Sequence, residues 1–156
     1  MTGRIEKRLV EIGLVLPQAT APAANYVPFV LSGDLVFLAG QLPFQDGKLA
    51  QTGLLGRDVG LEDGVRAARL CAINLITQIK AALEGDLDRV RRIVRVGGFV
   101  ASTADFIDQP KVVNGASDLF VEVFGDIGRH ARSAVSAPSL PLGAAVEVEA
   151  IIQISL

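Results

Sequence analysis

The sequence predicts an α+β fold in which two long helices cover one face of a mixed β-sheet. Three observations lead to this prediction. Two segments carry apolar residues at helical spacing, and residues 146–155 alternate apolar and polar side chains like a strand with one buried face. The segments also follow in the order helix, two strands, helix, strand, helix, strand, strand. With 156 residues the chain fits one domain, and we expect a single core across residues 1–156.

The first 23 residues are predicted to form an N-terminal helical extension. Ile5, Leu9 and Ile12 recur at helical spacing among charged residues. This pattern predicts a short amphipathic helix over residues 3–13. Prolines follow it and indicate an irregular connection to the rest of the chain.

A β-hairpin is predicted next, followed by a loop. Residues 26–31 and 35–40 flank a Ser-Gly-Asp turn, which is a strong hairpin signal. Pro28 cannot donate a backbone hydrogen bond, so the first of these strands should lie at a sheet edge. Residues 44–60 hold four glycines and are predicted to be mainly loop.

Two long helices should enclose a central strand. An apolar stripe over residues 65–83, closed by Gly85, predicts the first helix. The second should open near Asp108 and stop at Gly125. Between them, residues 93–102 are rich in β-branched residues and predict a strand.

Two further strands, joined by a Pro/Gly turn, are predicted within residues 131–150. In the last strand the alternate positions are apolar, and Glu147 lies among the polar positions of the opposite face. In the first, Arg132 shares a face with small residues, including Ala134. We expect the helices to pack on the apolar sheet face and to leave a face bearing Arg132 and Glu147 uncovered.

An arginine in a mostly buried strand is costly unless its charge is paired. Its planar guanidinium suits bidentate binding of a carboxylate. Two interpretations of Arg132 remain open at this point. Either it binds the carboxylate of a ligand, or it forms a structural ion pair with Glu147.

Composition limits the classes of function. The chain is 50% hydrophobic and its mean hydropathy is +0.43, an apolar excess that suggests contact between copies of the chain. No apolar run approaches the ~18 residues of a membrane helix, and the start of the chain carries charges of both signs, so we expect a cytoplasmic protein without a membrane partner. A net charge of −2 argues against a nucleic-acid partner. The basic cluster within residues 89–95 is interpreted as a solvated junction, with an RNA-binding patch as the alternative.

Redox and metal chemistry have few candidates. One cysteine, Cys71, excludes an internal disulfide, and one histidine, His130, leaves too few ligands for a typical zinc site. Cys71 falls in a helical stripe and is interpreted as a core residue, with a reactive thiol as the alternative. His130 lies two residues before Arg132 and is interpreted as a supporting or structural residue.

Three segments of the chain carry recognisable motifs. The C-terminal segment reads A-R-S-x-V, then L-P-x-x-A-x-V-E-V-E-A. The N-terminal segment has Asn25-Tyr26-Val27 and ends in A-G-Q-L-P at residues 39–43, and the third segment is V-V-N at 112–114. In this order and at near-family spacing, the three segments resemble the RidA/YjgF family of reactive-intermediate deaminases, whose older members carry the label endoribonuclease L-PSP. The resemblance covers residues 24–155. The N-terminal extension and the long 44–60 loop resemble those of a longer subgroup.

The resemblance implies a chorismate-mutase-like fold assembled as a homotrimer, with ligand clefts between subunits. It also implies hydrolysis of enamines and imines such as 2-aminoacrylate to 2-keto acids and ammonia, with no cofactor. Arg132 would bind the substrate carboxylate, and Glu147 would activate water or transfer a proton. The substrate-binding positions that match the family are Tyr26, Ala39, Gly40, Asn114 and Ala134.

Two departures from the family pattern put the substrate in question. Ala39 stands where many active members have serine, and Ala134 stands where many have cysteine. Without the family, Tyr26 would be interpreted as a hairpin aromatic and Asn114 as a polar residue at a helix start. Two other functions stay open: a non-catalytic trimer that binds small carboxylates such as 2-keto acids, and a ribonuclease or translation inhibitor.

Overall fold

The computed structural model describes residues 2–21 and 24–156; Met1, Pro22 and Ala23 lie outside the described residues. Within the described residues the fold is α+β, as predicted, with helices packed on a mixed five-stranded sheet. The helices are α1 (Arg4–Glu11), α2 (Leu61–Ala82) and α3 (Gln109–Phe124). The strands are β1 (Phe29–Ser32), β2 (Leu35–Gln41), β3 (Phe44–Gln45), β4 (Lys48–Leu49), β5 (Val90–Ala101), β6 (Ala131–Ala137) and β7 (Val146–Ile154).

The strand order of the main sheet is β1-β2-β7-β5-β6. Strands β5 and β6 are parallel, with α3 as the crossover between them, and the other neighbouring pairs are antiparallel. Strand β5 therefore lies between β6 and β7. The two strands that the sequence places on either side of a Pro/Gly turn do not pair with each other, and β6 is an edge strand.

The core lies between the sheet and the two long helices. The apolar face predicted for β7 is confirmed, because its alternate residues are buried: Val146, Val148, Ala150, Ile152 and Ile154. Helices α2 and α3 approach closely at Gly115, where an added Cβ would strike the backbone oxygen of Val65. Among the described residues, no helix is both long and apolar enough to cross a membrane.

Cys71 belongs to this core. Its side chain is fully buried, and its Sγ atom lies 3.6 Å from the backbone oxygen of Val146. Burial raises the pKa of the Cys71 thiol well above its usual value. Both observations support the interpretation as a core residue over that as a reactive thiol.

Helix α1 packs on the rest of the same chain. Ile5 and Leu9 are buried in the common core. The Asp88 carboxylate accepts hydrogen bonds from the backbone N–H groups of Arg4 and Ile5, at 2.7 and 2.8 Å. Because these are otherwise unpaired N–H groups of the first helical turn, Asp88 caps α1 from a distant part of the chain.

Some predicted boundaries differ from the observed ones. The loop 44–60 contains the short β3–β4 hairpin, whose turn places Asp46 and Gly47 at positive φ (51° and 78°). Both central residues have the left-handed conformation of a tight two-residue hairpin turn. Strand β5 begins at Val90 and so includes most of the basic cluster predicted as a junction. Helix α3 follows the prediction, with Asp108 before it and Gly125 ending it at φ 68°.

Candidate functional site

Arg132 lies near the start of the edge strand β6 and points toward helix α3. In the parallel pairing, Arg132 is level with Val96 and Ala134 is level with Gly98. A Cβ added at Gly98 would strike Val113 of α3, so this side of β5 faces the helix. Because side chains level with each other on paired strands share a face, Arg132 and Ala134 also lie on the helix side of the sheet.

Two side chains of α3 hold the Arg132 guanidinium. Nη1 donates to Oδ1 of Asn114 at 2.7 Å and to Oγ of Ser117 at 3.1 Å. Asn114 and Ser117 are three residues apart, and that spacing places them on one face of the helix. Both hydrogens of Nη1 are thus engaged, while Nε and Nη2 donate to no atom of the described residues. This Nε–Nη2 edge is one that can bind a carboxylate through two parallel hydrogen bonds.

His130 is part of the same group of side chains. Its Nε2 atom lies 2.9 Å from Ser117 Oγ, and its Nδ1 atom lies 2.7 Å from the backbone oxygen of Gly128. The ring also meets Phe120 edge to face, with centroids 5.8 Å apart. Burial, and after it the charge of Arg132, holds the pKa of His130 below its usual 6.5.

Glu147 lies on the opposite face of the sheet from Arg132. In the β5–β7 pairing, which has no register shift between Val96 and Phe99, Glu147 is level with Phe99, three residues along β5 from Val96. An odd separation along a strand reverses the face. The prediction that Arg132 and Glu147 share one uncovered face is therefore wrong, and among the described residues Glu147 makes no ion pair with Arg132.

The error has a physical cause in strand β6. Its residues other than Arg132 are small or β-branched, so they show no clear apolar–polar alternation from which the inward face could be deduced. The pairing with β5 decides which side chains face inward, and this pairing cannot be predicted from the β6 sequence. As an edge strand, β6 can tolerate a half-buried arginine whose charge reaches polar groups of α3.

The open face of the sheet carries two carboxylates, and each rests against a glycine. A Cβ at Gly40 would strike the Glu147 side chain, and a Cβ at Gly97 would come within 3.0 Å of Glu149 Oε1. The pKa of Glu147 is raised, first by burial and then by the negative charge of Glu149. Glu147 therefore holds a proton more readily than an exposed glutamate.

A cavity of about 510 Å³ lies on this open face. Tyr26 and Ala39, two of the predicted substrate-binding residues, line it together with Arg95, Gly97 and Glu149. The Tyr26 side chain is 58% exposed at its rim. The predicted site residues thus form two groups within the chain. Arg132, Asn114 and Ala134 lie on the helix side, whereas Tyr26, Ala39, Gly40 and Glu147 lie on or beside the open face.

Comparison with known proteins identifies the family. The family model described as "YjgF/chorismate_mutase-like, putative endoribonuclease" matches residues 6–153. The chain belongs to the YjgF family. The chorismate-mutase-like fold that the resemblance implies is confirmed.

Several similar proteins match most of the chain. Protein TCP17 of Trypanosoma cruzi is 48% identical over 155 residues, which are 99% of this chain and 96% of that protein. The crystal structure of the protein Atu1372, of unknown function, from Agrobacterium tumefaciens is 53% identical, with a TM-score of 0.91 over 97% of this chain and 92% of the other. The crystal structure of E. coli TdcF with bound serine is 25% identical, with a TM-score of 0.64 over 88% and 94% of the two chains.

Ser117 belongs to the group of side chains around Arg132, and the sequence analysis did not identify it. It contacts both Arg132 and His130, the two residues that were already singled out. The signal was present as the spacing Asn114-x-x-Ser117, which puts two polar side chains on one face of the helix. Arg132 did not point to Ser117, because the sequence analysis placed the Arg132 side chain on the face of the sheet away from the helices.

Proposed function

We propose that this protein hydrolyses reactive enamines and imines, such as 2-aminoacrylate and other 2-imino acids, to 2-keto acids and ammonia. The observation that carries the proposal is the free Nε–Nη2 edge of Arg132. Asn114 and Ser117 hold the guanidinium through Nη1 alone, so two parallel donors stay available. A bound carboxylate would gain about 1.5–3 kcal/mol net from such charged hydrogen bonds.

The complete site would form between subunits of a homotrimer. Arg132 and Glu147 point away from each other in one chain, so they can act on one substrate only if Arg132 of one copy meets the open face of the next. The open face has the apolar exposure that such a contact requires: Val30, Phe37 and Val135 are 52%, 42% and 47% exposed. Closed cyclic symmetry would then repeat the same cleft at each interface.

The chemistry assigns a separate task to each group. The enamine first takes a proton on carbon and gives up one from nitrogen, which yields the imine. Water then adds to the carbon of the protonated imine and loses a proton, which forms the C–O bond of a carbinolamine. Transfer of a proton to nitrogen lets the C–N bond break as the hydroxyl loses its proton and becomes the keto C=O, and ammonia leaves. Glu147, whose pKa is raised, can donate a proton to the nitrogen and as carboxylate can accept one from the attacking water. Such acid–base help contributes roughly 10²- to 10⁴-fold, while Arg132 supplies orientation.

A ligand seen in a relative agrees with this substrate class. The TdcF structure contains serine, which carries a carboxylate and a nitrogen on one carbon, as 2-imino acids do. In this protein Arg132 would bind the carboxylate of such a ligand. Ala39 and Ala134 supply no polar side-chain atoms, so we expect the side chain of the substrate to meet an apolar wall.

A second candidate function is non-catalytic binding of small carboxylates. The separation of Arg132 from Glu147 favours it, because a carboxylate can bind Arg132 without any contribution from the open face. A ribonuclease has less support. His130, the chain's one histidine, is engaged with Ser117 and Gly128, and no second histidine exists to complete an acid–base pair.

Hydrolysis of freshly generated 2-aminoacrylate and of larger 2-imino acids tests the proposal. We expect the wild type to accelerate ammonia release and Arg132→Ala to lose the acceleration. Arg129→Ala is the matched control, because Arg129 is a nearby exposed arginine that pairs with Asp126 at the surface. Equal rates for the wild type and Arg132→Ala would contradict the proposal. Tight pyruvate binding without any acceleration would instead support the carboxylate-binding function.

A further inference from the structure

The hydrogen bonds around His130 determine which of its nitrogens carries the proton. Nδ1 lies 2.7 Å from the backbone oxygen of Gly128, and a carbonyl oxygen can only accept. Nδ1 must therefore donate. In the neutral ring Nε2 is then an acceptor, and at 2.9 Å it faces the hydroxyl of Ser117.

The tautomer of His130 in turn orients Ser117. With Nε2 as acceptor, the Ser117 hydroxyl donates its one hydrogen to the ring, which leaves its lone pairs for other donors. Arg132 Nη1 donates into this oxygen at 3.1 Å. The direction of donation therefore runs from Arg132 to Ser117, from Ser117 to His130, and from His130 to Gly128. The Ser117 hydroxyl and both ring nitrogens of His130 are each hydrogen-bonded.

We propose that His130 is a positioning residue for the carboxylate-binding arginine. By fixing the Ser117 hydroxyl as an acceptor, it restrains Arg132 with Nη1 engaged and the Nε–Nη2 edge free. The inference rests on the proposed function in assigning a carboxylate to Arg132, and it adds a residue that touches neither substrate nor reacting atoms. A guanidinium already held in its binding orientation loses less conformational freedom when a ligand arrives.

The surroundings of His130 keep the ring neutral, as the network requires. It packs against Phe120, and the pKa is lowered mainly by burial. Of the charged groups on α3, β6 and the turn before β6, Arg132 is the one that lowers the pKa of His130 further. Arg129 is paired with Asp126 at the surface. A proton on Nε2 would put two donors and a second cation against Ser117, which would weaken the restraint on Arg132.

A first test needs no ligand. Because His130 is the chain's one histidine, the imidazole ¹⁵N resonances of the uniformly labelled protein belong to it without further assignment. We expect the Nδ1–H tautomer at neutral pH in the wild type. An Nε2–H tautomer would overturn the proposal, because Ser117 could then not be oriented as an acceptor for Arg132 by its donation to the ring.

A second test compares two substitutions at His130 by calorimetric binding of pyruvate. His130→Phe keeps a ring against Phe120 but offers no acceptor, and we expect affinity to fall about tenfold. His130→Gln places an amide oxygen near the position of Nε2, and we expect affinity within about threefold of the wild type. In imine hydrolysis His130→Phe should raise KM and leave kcat nearly unchanged, since the residue makes no contact with the reacting atoms.

The outcomes separate this inference from the proposed function. If His130→Phe binds pyruvate as the wild type does, the positioning role is refuted, whatever the rate of hydrolysis. A second outcome is that the wild type binds pyruvate and the two variants differ as expected, but no imine is hydrolysed. In that case the deaminase proposal fails and the positioning role stands. If the wild type binds no pyruvate, the assignment of a carboxylate to Arg132 is refuted, and the positioning role falls with it.

Discussion

Arg132 and Glu147 point to opposite faces of the same five-stranded sheet. The pairing places Arg132 level with Val96, and Glu147 level with Phe99, an odd number of residues along β5. A small substrate bound to Arg132 cannot also contact Glu147 of the same chain, because the packed sheet lies between the two side chains. If both residues act, they belong to different copies of the chain, and assembly is a condition of activity.

The pair of carboxylates on the open face gives a prediction about pH. Glu149 raises the pKa of Glu147, as a secondary cause after burial. In Glu149→Gln that repulsion is absent, so the pKa of Glu147 should fall. We expect the limb of the kcat/KM profile that reports Glu147 to move to lower pH. Glu11→Gln, which removes a distant charge on α1, should leave the profile in place; a shift toward higher pH in Glu149→Gln would contradict this account.

The close approach of α2 and α3 predicts a costly substitution. In Gly115→Ala the new Cβ would strike the Val65 carbonyl, and a backbone atom cannot move aside as a side-chain end can. Overpacking of this kind costs about 1–3 kcal/mol of the free energy of unfolding. Gly60→Ala is the control, since an added Cβ there meets no atom within 4 Å. Urea unfolding at matched protein concentration measures both, and equal losses would refute the packing argument.

The cap on α1 predicts a defined acid sensitivity. Asp88 accepts from two backbone N–H groups, and Asp88→Asn keeps only one accepting oxygen and loses the charge. We expect a loss of about 0.5–1 kcal/mol in the free energy of unfolding. Asp118→Asn, at an exposed position of α3, should cost less.

The pH dependence of that loss follows from the pKa of Asp88. The hydrogen bonds hold it below its usual 3.8 in the folded state. The stabilisation is therefore fully present above the unfolded pKa, and it is lost as pH falls through the folded pKa. The difference between wild type and Asp88→Asn should shrink over that acidic window. A difference that grows on acidification would contradict the assignment.

The charge of Arg132 should be visible in the titration of His130. Arg132 lowers the pKa of His130, so Arg132→Ala should raise it, though not fully to 6.5, because burial is the larger cause and remains. The chemical shift of the single histidine against pH measures this directly. Arg129→Ala should leave the titration unchanged. An unchanged pKa in Arg132→Ala would show that the two side chains are not neighbours in solution.

The elements that could be predicted are those whose position and bounds are determined by the residues within the element itself. Strand β7 has five apolar positions in alternation, and α3 has a proline in its first turn and a glycine at its end, so both could be predicted from local sequence. The place of β6 in the sheet could not. Its neighbour is β5, not β7, and this pairing depends on how α3 packs. The same missing information reversed the face assigned to Arg132.

The candidate site shows the same division. Arg132 and Asn114 were identified from residue type and family motif, and the structure brings them within hydrogen-bonding distance. Ser117 was not identified, because a serine three residues along a helix gains meaning only when a strand side chain is known to reach it. The nearness of Glu147 to Gly40 likewise depends on the β2–β7 pairing, which has a shift in register at this point.

Hybrid assemblies test the central claim most directly. Arg132→Ala and Glu147→Gln chains, co-expressed with different tags and purified as mixed oligomers, are assayed for imine hydrolysis beside each parent. If each site of a cyclic trimer takes Arg132 from one copy and Glu147 from the next, each purified mixed trimer of two inactive parents should restore one wild-type site in about three. Hybrids no more active than their parents would contradict a site shared between subunits.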